Sequence, residues 1–122
     1  MLGDRRFRPV VATGGWRRPI LAKLAAAGID ITGLPFASAD DAIARSDIFG
    51  LAMARAGGCD RAVLIGDGVW DVVTARQLGT GFLGVGTADR AARLVAAGAH
   101  RVVADYTDLP AVLAILAEQG PL

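Results

Sequence analysis

Cysteine is almost missing from this chain: Cys59 is the only one among 122 residues. An internal disulfide is therefore excluded, and a reducing compartment, by default the cytoplasm, is expected. Cys59 sits in the turn Gly57-Gly58-Cys59-Asp60, and the only histidine, His100, is distant in sequence, which speaks against a Cys/His nucleophile. Charge of one sign is lacking as well. Charged residues make up 20% and the formal net charge is +1, so no global field draws the chain to nucleic acid or to a membrane surface. The run Arg5-Arg6-Phe7-Arg8 is too short to change that and reads as a solvated N-terminal face. No apolar stretch reaches the roughly 18 residues of a membrane span. The charged start lacks the apolar core of a signal peptide. Internal repeats, linkers and low-complexity segments are absent too.

What is present is a core. Hydrophobic residues are 53% of the chain, enough for one domain over residues 1–122. Short apolar runs alternate with amphipathic segments. Strands are expected at Arg8 to Ala12, Gly33 to Ala37, Ala62 to Ile65, Phe82 to Val85 and Arg101 to Ala104. Pro35 marks the second of these as an edge strand. Helices are expected at Arg18 to Ala27, Asp47 to Ala56, Trp70 to Leu78, Asp89 to Ala97 and Leu109 to Ala117. Glycine stops follow the first four, and Thr107 is the expected cap of the last. Five β-α steps with short connections imply an α/β, Rossmann-like, three-layer α/β/α fold with a parallel sheet of about five strands.

The sharpest chemical signal is Gly66-Asp67-Gly68-Val69-Trp70-Asp71. It places one carboxylate directly after an apolar strand and a second at the start of a helix, where open α/β sheets build their sites. Hard oxygen ligands of this kind suit Mg²⁺. Asp71 is also an acid of the kind favoured in a first helical turn. Thr13-Gly14-Gly15 follows the first strand and opens the first helix. A hydroxyl and bare amides there suit an anion, or simply cap the helix. Trp16-Arg17-Arg18 puts cations at a helix N-terminus, where they oppose the macrodipole; a phosphate, Asp40 or Asp41 would compensate them. Ser38-Ala39-Asp40-Asp41 either binds a ligand, orients a cation or caps a helix. Gly84-Val85-Gly86-Thr87 has two glycines of a dinucleotide fingerprint but Asp89 at the third place, and reads as a turn.

In this order the signals resemble the haloacid dehalogenase superfamily, in its phosphoglycolate-phosphatase-like branch, from about Pro9 to Ala117. Val10-Val11-Ala12-Thr13-Gly14-Gly15 resembles the family's second motif, and Gly66 to Asp71 its acidic fourth motif. Val72 to Gly79 resembles the helix that follows, and Ala96 to Val103 with Asp108-Leu109 the usual tail. The resemblance implies an Mg²⁺-dependent phosphatase of small phosphorylated metabolites. Thr13 and Gly14 would hold phosphate oxygens, and Asp67 and Asp71 would face the metal. The family's third-motif lysine falls on about Ile43, and Arg45 is the nearest cation to stand in for it, with a different geometry.

The family's nucleophile, an aspartate in Asp-x-Asp after a first strand, matches nothing here. Asp4 has only Met-Leu-Gly before it, and Asp30-Ile31-Thr32 follows a helix end. In the family that strand lies mid-sheet, between the strands ending at Thr13 and Gly66. Its omission would leave a slot of roughly 10 Å with unpaired edges. Direct pairing of the flanking strands, a strand from a second copy, or a longer natural protein would each resolve this. A non-catalytic phosphate- or partner-binding α/β domain, or a degenerate relic, is the alternative reading. A receiver domain is disfavoured, because Thr13-Gly14 stands where its acidic pair belongs.

Overall fold

Strand and helix alternate strictly, as the apolar runs and glycine stops anticipate. The computed structural model describes residues 7–29, 31, 33–58 and 61–118. In chain order these form β1 (Val11–Ala12), α1 (Arg17–Ala26), β2 (Phe36–Ala37), α2 (Arg45–Arg55), β3 (Val63–Gly66), α3 (Val69–Leu78), β4 (Gly81–Val85), α4 (Ala88–Ala97), β5 (Arg101–Val103) and α5 (Leu109–Glu118). They fall into two compact units, Met1–Cys59 and Asp60–Leu122.

All the pairings are parallel, and each paired strand is joined to the next through a helix, as expected for βαβ units. The strands are divided between two sheets, β1-β2 and β3-β4-β5, where one sheet was expected. Among the described residues β1 pairs only with β2, and β3 only with β4. One edge of each thus has no strand partner among the described residues. No sixth apolar run in these 122 residues offers a strand for those edges.

In the first unit the core is Ala37, Ile48 and Ala52, with Val10, Ala12, Phe49 and Leu51 packed against it. Its two strands are short, but the loops after them are laced together. Thr13 N–H donates to the Ala37 carbonyl at 3.1 Å, and Ala39 N–H to the Gly15 carbonyl at 3.1 Å. In the second unit β4 is the central strand and is buried from Gly81 to Gly84. Phe82 packs there with Val72 and Ala75 of α3, Leu94 of α4, and Ala99.

Arginines finish several helices. Arg8 donates to the Ala56 and Gly58 carbonyls at 2.9 and 2.5 Å, beyond the end of α2. Arg76 donates to the Ala97 carbonyl at 3.1 Å at the end of α4. Arg61 does so to the Leu116 carbonyl at 3.0 Å and to that of Ala117, in the last turn of α5. Each places a cation on the negative end of a helix dipole. Gly79 and Gly98 close α3 and α4 in the left-handed conformation, with φ of 69° and 116°. The cap of α5 is Asp108 rather than the expected Thr107: its carboxylate accepts the Ala111 N–H at 3.2 Å. Thr107 instead donates its amide and hydroxyl to Asp105, at 2.9 and 2.5 Å.

Candidate functional site

In the first unit the chemistry gathers at the end of β1. Thr13 is half-buried and its hydroxyl accepts the Gly15 N–H at 3.1 Å, which folds the loop into a tight turn. Gly14 is exposed. A Cβ on Gly14 would fall 2.8 Å from a terminal guanidinium nitrogen of Arg45, so that position admits only glycine while Arg45 lies there. Arg45 is the first residue of α2. The structure thus brings together the three residues the sequence singled out in this unit, Thr13, Gly14 and Arg45. A hydroxyl, exposed backbone and a permanent cation side by side make a setting suited to an oxyanion.

The neighbouring loop is a brace. Asp40 accepts the Arg17 N–H at 2.8 Å and so satisfies the N-terminus of α1, whose own N-cap, Trp16, makes no side-chain cap. The Arg17 guanidinium lies 5.3 Å from the centre of the Phe36 ring. Asp40, one of the acids foreseen here, thus brings a carboxylate to the start of α1 through the Arg17 amide rather than through a guanidinium. Asp41 accepts the Ser38 N–H at 3.0 Å and pairs with Arg55 at 3.2 Å. The Arg55 guanidinium, and next the Ser38 amide, hold the Asp41 carboxyl below its ordinary value of 3.8. Ser38 itself is fully buried.

In the second unit the acidic motif resolves into two different carboxylates. Asp71 is 6% exposed and its Oδ2 accepts the Gly68 N–H at 3.1 Å, closing the first turn of α3. A Cβ on Gly66 would lie 2.4 Å from that same oxygen, and one on Gly68 2.3 Å from the Trp70 indole. Both glycines are thus explained by the close approach of Asp71 and Trp70. Asp67 is different. It follows β3, its side chain is 60% exposed, and its Oδ2 stands 3.4 Å from a terminal nitrogen of Arg90. It lines an open groove of about 490 Å³ with Gly86, Thr87, Arg90, Arg93 and Ala104 among its neighbours. Tyr106, half-exposed, has its phenol raised above the ordinary value, by burial first and by the charge of Asp67 next.

Among the described residues no three acidic, histidine or cysteine side chains come together as a metal-binding group. A Mg²⁺ site needs less from the protein, since this ion keeps waters and takes one or two carboxylates with phosphate oxygens. Asp67 fits that demand as an exposed hard ligand at a strand end, whereas the carboxylate of Asp71 is committed to the Gly68 amide. Cys59, Asp4, Arg5, Arg6, Asp30 and Thr32 lie outside the described residues. Sequence reasoning missed Arg90: nothing in the pattern of α4 sets it apart from Arg93, and only the fold carries it to Asp67. Gly84 and Val85 are strand residues rather than the expected turn, and Gly86-Thr87 connects β4 to α4.

Parallel strands joined by helices, with the polar residues at the carboxyl ends of β1 and β3, define an α/β protein of the Rossmann-like class. No family model matches the sequence, and no curated protein matches it. Solved structures do. A hydrolase from Pseudomonas syringae aligns at 28% identity with a TM-score of 0.72, over 86% of this chain and 51% of that one. A conserved haloacid dehalogenase-like protein of unknown function from Agrobacterium tumefaciens aligns at 32% identity with the same TM-score of 0.72, over 86% of this chain and 53% of that one. The chain has the haloacid dehalogenase-like hydrolase fold, as its motifs implied. It spans about half the length of these two relatives.

Proposed function

We propose that this chain carries the phosphate-holding and acidic elements of a haloacid dehalogenase-like phosphatase acting, with Mg²⁺, on small phosphorylated metabolites. The observation that carries this reading is the contact of the Arg45 guanidinium with Gly14, beside the Thr13 hydroxyl. A cation in the first turn of α2 works against the helix dipole. Its guanidinium nevertheless lies against the Thr13-Gly14 loop, where it would meet an oxyanion held by that loop. Thr13 and the Gly14 amide would hold phosphoryl oxygens, and Arg45 would offset their charge in the place of the family's lysine. Asp67 would be the carboxylate facing the cation, while Asp71 would keep the Gly66-Asp67-Gly68 turn in shape. Mg²⁺ would supply charge neutralisation of the kind that phosphoryl transfer needs. The nucleophile and the acid/base are assigned to no residue of this chain, because no Asp-x-Asp follows an apolar strand in it.

That same observation favours a second reading, a phosphate-binding α/β domain without turnover. One pair of measurements tests the shared phosphate cradle and then turnover. Inorganic phosphate titrated into the ¹⁵N-labelled chain is expected to shift the amides of Thr13, Gly14 and Gly15, and Arg45→Ala is expected to weaken this about tenfold, the scale of one charge-assisted hydrogen bond. Unchanged phosphate affinity in Arg45→Ala would sink the cradle. Release of phosphate from an aryl phosphate is then followed with and without Mg²⁺, in wild type and Asp67→Asn. Turnover that needs both the metal and Asp67 establishes the phosphatase, whereas binding without turnover is the result of a binding domain or of a phosphatase portion without its nucleophile.

A further inference from the structure

The groove in the second unit contains an arginine whose placement helix stability does not explain. Arg90 is the third residue of α4 and so sits in its first turn, where a cation opposes the dipole. It makes an ion pair with Asp67 at 3.4 Å, with both side chains more than half exposed, at 57% and 60%. Pairs this exposed contribute little to folding. Yet the side chain is directed. Its Cβ, Cγ and Cδ run over Gly86, where a Cβ would lie 2.7 Å from Cγ and Cδ. Gly86 is in turn fixed by its N–H to the Val103 carbonyl at 2.9 Å. A bare glycine beneath the stem lets Arg90 lie flat and brings its guanidinium to the carboxylate at the end of β3. Arg93 lines the same groove, but its Nε is turned to the Asp89 carbonyl, at 3.3 Å.

We propose that Arg90 is a resident counter-ion of Asp67 that a divalent cation has to displace, and that Arg90 thereby sets the cation affinity of this end of β3. The proposal rests on the reading of Asp67 as the cation-facing carboxylate. Guanidinium and hard cation compete for Asp67 Oδ2. The carboxylate is thus held neutralised while the groove has no cation, and becomes a ligand when one arrives. Arg90 is a positioning residue in this scheme. It touches neither substrate nor reacting atoms, and acts through the carboxylate it releases.

Mn²⁺ is the probe, since it takes the same oxygen ligands as Mg²⁺ and its paramagnetism reports weak binding. It is titrated into the ¹⁵N-labelled full chain while broadening of the Asp67 and Gly68 amides is followed. Arg90→Gln is expected to tighten Mn²⁺ about two- to fivefold, the scale of an exposed pair. Arg93→Gln removes the same charge from the same groove without touching Asp67, and is expected to change the affinity less. Gly86→Ala keeps every charge but pushes the Arg90 stem off its seat, and is expected to tighten binding in the same direction as Arg90→Gln. An Arg90→Gln affinity equal to wild type, or equal to that of Arg93→Gln, overturns the proposal and leaves the reading of Asp67 standing, provided Asp67→Asn abolishes the broadening. Broadening that persists in Asp67→Asn overturns both.

Discussion

Asp67 and Asp71, four residues apart in one motif, stand in different environments, and stability measurements distinguish them. Asp67 is exposed and pairs with an exposed arginine, Arg90, so Asp67→Asn is expected to change stability by less than about 1 kcal/mol. Asp71 is buried, receives the Gly68 amide and lies against Gly66. Gly66→Ala would drive a methyl group into that carboxylate, and overpacking of this kind costs about 1–3 kcal/mol. Urea unfolding of the two variants checks the contrast; a Gly66→Ala midpoint equal to wild type would mean that the Asp71 contact does not exist in solution. The place of Asp67 after a strand was legible, because an apolar run ending in glycine announces the strand end. The role of Asp71 was left open, because an acid in a first helical turn suits a cap and a ligand equally. Arg90 was illegible, since its meaning comes from a residue 23 positions away.

At the scale of elements, helix ends carried most of what could be read. Glycine stops placed the ends of α1 to α4 to within about a residue or two, the usual uncertainty of such boundaries. The start of α1 was harder, because its cap comes from elsewhere in the chain. Asp40 caps α1 across 23 residues, and no local pattern announces that. Asp40→Ala is expected to cost about 0.5–2 kcal/mol, the range for a lost N-cap, measured as a shift of the urea midpoint. The adjacent Asp41 gives a pH signature. Its carboxyl is held below 3.8 by Arg55 and the Ser38 amide in the folded chain, so the group binds protons less readily folded than unfolded. The stability it contributes is present above about pH 4 and is lost as the pH falls through the lowered folded value. Asp41→Asn is therefore expected to flatten the decline of stability below pH 4, read as unfolding midpoints from about pH 5 downward. An acid limb as steep as that of wild type would remove Asp41 from the account.

For the molecule as a whole, alternation of strand and helix made the α/β class and the parallel pairing legible, while the division into two sheets was not. Periodicity says that a run will be a strand; it does not say which strand lies beside it. β1 and β2 have two residues each and one pairing partner between them, and a two-stranded sheet is marginal by itself. β4 has β3 on one side and β5 on the other, and its residues Gly81 to Gly84 are buried. Backbone hydrogen bonds shielded on both sides open only in large unfolding events, and those at a short, half-exposed edge open locally. Native-state hydrogen exchange is therefore expected to be slowest at the amides of Phe82 to Gly84, and faster by at least about tenfold at Val11, Ala12 and Ala37, a difference of roughly 1.4 kcal/mol in opening free energy. Uniform protection across β1 and β4 would mean that the edge of β1 is covered in solution. The edge of β1 that has no strand partner among the described residues would then have to be counted as a partnered surface, and the search for what pairs with it would begin at that strand.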